Sequence, residues 1–245
     1  SKPATFVITG TSAIVGSSSV TPPDDGGGLY IIPDTCAPLA MTYGPTQSSG
    51  SSIAWASELF EIEANELIDL AMNASDIEIP IYLPYINGER APLWRPDVQA
   101  GFYGVTTQCK KSHMALAVME GISFAERQVA ELAETLNKVR QPSILLGGHA
   151  GNDNRWEKIR HRTLSRTIER FEDVDTTTRG SAMLAHAVIT KDSALSSEAL
   201  SFKPLVSQPN SNDLMYSNKK FNEFLAAQEY AIDLANRKRK LTDEK

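Results

Sequence analysis

Apolar and polar positions change period several times along this chain, and each change marks an element. Residues 4–20, ATFVITGTSAIVGSSSV, are rich in β-branched side chains such as Thr5, Val7, Ile8, Ile14 and Val15. That content predicts two strands joined at Gly10-Thr11-Ser12. Prolines and glycines in TPPDDGGG at 21–28 predict a surface loop, and Leu29 to Ile32 a third strand. A polar run from Thr42 to Gly50 then leads into a predicted helix over 51–60, with Ile53, Ala54, Trp55 and Leu59 on its apolar side. Ser51 or Ser52 is the expected cap, so Gly50 is expected at a helix start. A second helix is predicted over 62–73, with Ile62, Leu67, Leu70 and Ala71 inward. Pro80 to Trp94, dense in proline and aromatics, reads as a rigid loop after a short strand. A strand follows at 101–106.

The longest periodic segment comes next. Met114, Val118, Ile122, Ala125, Val129, Leu132 and Leu136 step by three and four, which predicts a helix over 112–138 with one buried face. Gly121 stands in its middle, where glycine costs roughly 1 kcal/mol against alanine, so a neighbour is expected to pack close there. His113 lies in the first turn without metal or nucleophile spacing, and is read as structural. Beyond the helix, Ile144-Leu145-Leu146 ends at Gly147-Gly148. A loop with Gly151, Asn152 and Asp153 follows, then a helix-compatible segment at 155–165.

Strand, glycine turn and helix form an ordinary β–α connection. They also form the geometry that brings backbone close to a phosphate or an adenosine, since glycine has no Cβ and helix-start N–H groups attract anions. Both readings stay open on this stretch alone. The same holds for Gly10-Thr11-Ser12, which is either a hairpin turn or a seat for phosphate oxygens made of clustered N–H groups and two hydroxyls. A strand is predicted at 167–171 and a small-residue helix, GSAMLAHAVI, at 180–189. Gly180, Ser181, Ala182 and Ala185 suit close helix packing or a flat ligand equally. Residues 191–213 read as loop, and 214–240 as a closing helix that buries Phe221, Phe224, Leu225, Ile232 and Ala235. Its RKRK end at 237–240 suits a helix C-terminus and is read as a solvated last turn rather than a targeting patch. The elements together predict an α/β fold, a mixed sheet flanked by helices.

Composition narrows the function classes. The 245 residues, 41% hydrophobic and 22% charged, describe an ordinary globular chain. A net charge of −6 argues against a nucleic-acid partner. Cys36 and Cys109 stand far apart without metal-ligand spacing, so two free thiols in a reducing compartment are expected. No apolar run reaches spanning length and no export pattern opens the chain, so no membrane is expected and the cytoplasm is the default.

Residues 80–125 carry more than periodicity. PYINGERAPLW at 84–94, AGFYGV at 100–105 and HMALAVMEGISFA at 113–125 resemble the C-terminal half of FGGY-family carbohydrate kinases. Ala100, Phe102, Gly104, Val105, His113, Met114, Ala117 and Glu120 stand at the positions of that family's second motif. The flanking pieces follow in the family's order. GTSAIVG at 10–16 resembles its second phosphate loop, and Gly50 the glycine under the nucleotide. GGHAGNDNRW at 147–156 is similar to its adenosine motif, and TTTRGSAMLA at 176–185 to the closing helix of the adenine pocket. Xylulokinase and gluconokinase are the nearest-looking subfamilies.

The resemblance implies an actin/hexokinase-type ATPase lobe, RNase-H-like, over 1–190, with 191–245 as a loop and helical extension on the same domain. It implies ATP or ADP with Mg²⁺. Gly10, Thr11 and Ser12 would hold the β- and γ-phosphates, and Gly50, Gly147, Gly148 and Asn152 the adenosine and α-phosphate. A sugar or sugar acid would be the substrate, bound mostly by a preceding lobe that residues 1–9 do not contain, and a homodimer stays open. Three features depart from the family pattern. His149 replaces a small residue, Arg162 and Ser165 replace an acid and a glycine, and the family's aspartate-glycine hairpin and glycine-aspartate-glutamine motif are lacking ahead of Gly10. Without that base, no catalytic residue is assigned and the chain alone is expected to be inactive. Two alternatives remain at this point. One is a non-catalytic actin-like nucleotide-binding protein or kinase remnant. The other is a dinucleotide-dependent oxidoreductase, with Gly147-Gly148-x-x-Gly151 and Glu169 or Glu172 as its fingerprint.

Overall fold

The computed structural model describes residues 2–33, 39–75, 78–148, 153–171, 175–190 and 204–243. A seven-stranded sheet runs through the chain in the order β3-β4-β2-β1-β7-β8-β9. Its strands are β1 (Thr5–Thr9), β2 (Ala13–Ser19), β3 (Tyr30–Ile32), β4 (Ala40–Pro45), β7 (Ser143–Gly147), β8 (Thr167–Arg170) and β9 (Leu205–Ser207). β3, β4, β2 and β1 pair antiparallel in sequence, β1–β7 and β7–β8 are parallel, and β9 closes the far edge antiparallel. A separate hairpin pairs β5 (Ile81–Leu83) with β6 (Gly101–Tyr103). The helices are α1 (Gly50–Phe60), α2 (Ala64–Met72), α3 (Lys111–Leu136), α4 (Asn154–Leu164), α5 (Thr176–Thr190) and α6 (Ser211–Asp243).

Two strands stand where the pattern predicted none. β4 runs into the polar stretch that begins at Thr42, to which no strand was assigned, and β9 lies in the stretch read as loop before the closing helix. β4 hides its strand character because its inward positions are Ala40, Thr42 and Gly44, small or polar rather than large and apolar. Thr42 is fully buried and donates its hydroxyl to Asn137 Oδ1 at 2.8 Å, while the Asn137 amide donates to the Ser17 carbonyl at 3.0 Å.

The expectation of one buried face on α3 is also corrected. Every residue from Ala115 to Arg127 is buried, because α3 is the central helix with partners on all sides. On one side Val129, Ala130 and Ala133 pack on Val7, Val15, Ile144 and Leu146 of the sheet. On another, Leu116, Met119 and Ile122 join Leu67, Trp156 and Ile159 from α2 and α4. On a third, Phe124 meets Leu83 of β5 and Phe221 and Phe224 of α6. His113 caps the helix: the Lys110 N–H donates to its Nδ1 at 2.8 Å, which leaves Nε2 protonated and facing Ser75 Oγ at 2.9 Å.

Gly121 has the close neighbour its position called for. A Cβ there would fall inside contact distance of the Tyr82 carbonyl of β5, a backbone atom held in a strand. Gly121→Ala is therefore expected to destabilise the chain by about 1–3 kcal/mol through overpacking, against the roughly 1 kcal/mol that helix propensity alone would add. Urea unfolding reads the sign, and a stabilised variant would contradict this packing.

Glu89 ties the 84–95 loop to the sheet. Its Oε1 accepts from the Gln47 N–H at 2.5 Å and the Arg90 N–H at 2.7 Å, Oε2 is buried without a partner among the described residues, and Arg90 Nη2 donates to the Thr46 carbonyl at 2.7 Å. Burial pushes the Glu89 carboxyl up from 4.5 to about 7, against the opposing pull of the two N–H donors and the Arg90 charge. Between these values the folded chain holds a proton that the unfolded chain has lost. Ionisation of Glu89 therefore removes roughly 3 kcal/mol of stability as pH rises from about 4.5 to about 7. Glu89→Gln should flatten this part of the profile, so the variant gains on the parent between pH 5 and pH 7.5 in urea midpoints. An unchanged difference across that range would contradict the assignment.

Candidate functional site

The C-terminal ends of β1 and β7 lie side by side, and three segments converge on them. The first is the Gly10-Thr11-Ser12 turn, closed by the Gly10 N–H donating to the Ser12 carbonyl at 2.8 Å. The second is the start of α1. The Ser49, Gly50 and Ser51 N–H groups donate to the carbonyls of Thr11, Gly10 and Thr11, each at 3.0 Å. A Cβ on Gly50 would stand 2.7 Å from the Gly10 carbonyl oxygen, so only glycine lets the helix start rest on the turn. The third is Gly147-Gly148 at the end of β7. Gly148 has φ +82°, and a Cβ on it would run into the Thr9 backbone.

This geometry changes the role of two expected positions. The helix-start N–H groups at Gly50 are not free for an anion, because the carbonyls of the turn take them up. The space that Gly148 keeps open is filled by β1. Gly147 meets Thr176 in the same way: a Cβ would lie 2.7 Å from Thr176 Oγ1, which also accepts the Gly148 N–H at 3.4 Å. The glycines thus let four backbone segments meet.

Donors are left over in the turn itself. Thr11 is exposed and Ser12 half-exposed. Their N–H groups and hydroxyls find no partner among the described residues, while the turn's carbonyls are already engaged. Four unspent donors on a three-residue turn, with no carboxylate bonded to it, are the kind of donor set on which anions are bound elsewhere. The Ser48, Ser49 and Ser51 hydroxyls beside it are buried without partners among the described residues. Farther along the chain Asp153 caps α4, accepting from the Arg155 N–H at 2.8 Å and the Trp156 N–H at 3.3 Å. Asp175 caps α5, accepting from the Thr177 and Thr178 N–H groups at 3.0 and 3.1 Å.

Of the positions named from the sequence, Gly10, Thr11, Ser12, Gly50, Gly147 and Gly148 come together at this end of the sheet; Asn152 and His149 lie outside the described residues. Thr9 and Asp175 also belong here and were not singled out, and Thr176 entered only as the first residue of the 176–185 segment. An aspartate immediately before a helical segment is a capping signal, and it stood unused at Asp153 and Asp175.

The dinucleotide alternative does not fit this architecture. Antiparallel strands β2, β4 and β3 occupy the half of the sheet where a doubly wound fold carries parallel ones. Glu169 accepts from the Ser143 hydroxyl at 2.5 Å, at the start of β7 and so at the opposite end of the strand from Gly147.

Residues 5–188 match the FGGY family of carbohydrate kinases, C-terminal domain. A xylulose kinase of Lactococcus lactis subsp. lactis (strain IL1403) is 31% identical over 151 residues, which cover 60% of this chain and 30% of that protein. The ligand-bound xylulose kinase from Lactobacillus acidophilus superposes with a TM-score of 0.83 at 20% identity, over 96% of this chain and 48% of that one. The gluconate kinase from the same species gives 0.82 at 21% identity, over 93% and 47%. The chain thus spans about half the length of these solved kinases, and less than a third of the curated relative aligns with it. The sheet order, the helices around it and this match over most of the sequence agree: the chain belongs to the FGGY family of carbohydrate kinases, with the mixed α/β architecture of the actin/hexokinase type, and corresponds to the family's C-terminal domain.

Proposed function

We propose that this chain is the nucleotide-binding half of an ATP-dependent carbohydrate kinase, which transfers the γ-phosphoryl group of ATP to a hydroxyl of a sugar or sugar acid. The observation that carries the reading is the Gly10–Ser12 turn, with four unspent donors at the meeting of β1, β7 and α1. In phosphoryl transfer most of the work is positioning and charge stabilisation. Thr11 and Ser12 would bind the terminal phosphates through N–H and hydroxyl groups, oriented in advance because the turn's carbonyls are tied to α1. Gly147 and Gly148 place β7 and Thr176 at the adenosine side, where Asn152 is the further contact we infer.

We infer that Mg²⁺ comes with the nucleotide's phosphates, with acidic help from the part of the relatives that this chain does not span; among the described residues no three His, Cys, Asp or Glu side chains gather to hold a metal.

A sugar hydroxyl needs a base, and a positioned carboxylate is worth roughly 10²–10⁴-fold. Glu89 is a buried carboxyl that reaches the turn through Gln47, but its oxygens point into the protein rather than toward solvent. We infer that the base and most sugar contacts come from the part of the relatives that this chain does not span. Among the described residues no helix is long and apolar enough to cross a membrane, and the proposed setting is the cytoplasm.

Titration calorimetry of the chain with MgATP and with NADH tests the nucleotide reading. Weak MgATP binding and none of NADH is the expected result; tighter NADH binding would overturn it. A coupled assay with xylulose, gluconate, ribulose and glycerol should show no sugar-dependent ATP consumption by this chain. Turnover abolished by Glu89→Gln would instead place the base at Glu89.

A further inference from the structure

A salt bridge with no water contact stands directly behind the phosphate turn. Arg160 of α4 and Glu126 of α3 are both fully buried. Arg160 Nη2 donates to Glu126 Oε1 at 2.9 Å and Oε2 at 3.1 Å, and Nε donates to Oε2 at 3.2 Å. The same Nη2 donates to Thr9 Oγ1 at 2.7 Å. The guanidinium lies 4.0 Å from the Trp156 ring centre, and the Trp156 indole N–H donates to Ser123 Oγ at 3.4 Å. Nη1 is buried without a partner among the described residues.

An ion pair in this position is costly. Removing both charges from water costs several kcal/mol, and apolar replacements of similar volume are often neutral or stabilising. Packing alone therefore gives no reason for a guanidinium here. Its contact with Thr9 does. Thr9 is the last residue of β1, its side chain is buried, and its carbonyl lies against Gly148 while the next three residues form the Gly10–Ser12 turn. Arg160 reaches that strand end from α4, the helix that opens after the β7 glycines.

We propose that Arg160, fixed by Glu126 and Trp156, is a positioning residue that sets Thr9 and so presents the Thr11 and Ser12 donors to the terminal phosphates. The inference rests on the nucleotide reading above. A hydroxyl bonded to a charged donor cannot turn freely, so the β1 end enters the turn in one orientation. Phosphate affinity then depends on a residue that touches no phosphate. Glu126 keeps the guanidinium from swinging; burial pushes its carboxyl up, and Arg160 beside it pulls the other way.

The experiment compares affinities for ATP, ADP and adenosine across four proteins. These are the parent, Thr9→Val, Thr9→Ser and the double variant Arg160→Met with Glu126→Leu. Thr9→Val keeps the shape and removes the acceptor, Thr9→Ser restores the acceptor, and the double variant replaces the pair with apolar groups that can pack. Thr9→Val and the double variant should each lose about tenfold in ATP affinity, the worth of one hydrogen bond to a charged group. Adenosine affinity should stay within twofold, ADP should fall between, and Thr9→Ser should recover ATP binding. Melting temperatures identify any variant that fails to fold, and Thr9→Val decides if the double variant does. A parent that prefers ATP to adenosine, with both variants unchanged in that preference, would overturn the positioning role and leave the nucleotide reading standing. Equal loss for all three ligands would reduce the pair to a structural one. A parent that binds ATP no better than adenosine would overturn both.

Discussion

Backbone packed against backbone at the end of β1 is the constraint on which the site depends. The Gly10 and Thr11 carbonyls accept three N–H groups from the start of α1, and the Thr9 backbone lies where a side chain on Gly148 would be. Each contact is possible because one partner lacks a Cβ. The result is a turn whose carbonyls are all engaged, while the Thr11 and Ser12 N–H groups and hydroxyls are not. Polarity of this kind favours an anion through neutral donors. It also puts the helix dipole of α1 to use indirectly, since the helix start grips the turn's carbonyls instead of the ligand.

The same end of the sheet is braced from farther away. Thr46 at the end of β4 clasps the start of β2, its N–H donating to the Ala13 carbonyl at 2.9 Å and its hydroxyl accepting the Ala13 N–H at 3.1 Å. Glu89 holds the next residue, Gln47, two positions before the α1 cap at Ser49. From the opposite side Arg160 holds Thr9. The turn is thus fixed through β4, through α1 and through α4. Pre-organisation of this sort lowers the entropy lost when a charged ligand is bound. α3 links all of these supports, which is why its polar residues Glu120, Glu126 and Arg127 are paired inside the core: Glu120 accepts from the Tyr216 hydroxyl, Glu126 from Arg160, and Arg127 donates to Ser217 and Asn218.

Much of this was legible in the amino-acid order, and the rest was not for identifiable reasons. Gly10-Thr11-Ser12 and Gly147-Gly148 stood out as glycine turns after apolar runs, each equally open to an ordinary-turn reading, and it was the motif order that pointed to the family. β4 was not legible, since Ala40, Thr42 and Gly44 face inward and mimic a polar loop. Three residues of β9 at the sheet edge, with Leu205 and Val206 exposed, carry no burial pattern to read. The one-face reading of α3 failed because helical spacing reports the most apolar stripe, and a helix enclosed on all sides also buries its charged residues when partners wait for them. Arg160 and Glu126 carry no apolar signal that would mark them as buried, and neither was singled out. Nothing in a sequence connects Thr9 to a residue 151 positions away.

On the proposed nucleotide reading, phosphate is held by the free N–H groups of the turn and not by the start of α1. Amide chemical shifts and hydrogen exchange, followed residue by residue as MgATP is added, separate the two directly. The account predicts large shifts and new protection at Thr11 and Ser12, with Gly50 and Ser51 already protected before nucleotide and little changed after. Protection appearing at Gly50 and Ser51, with Thr11 and Ser12 unmoved, would contradict it.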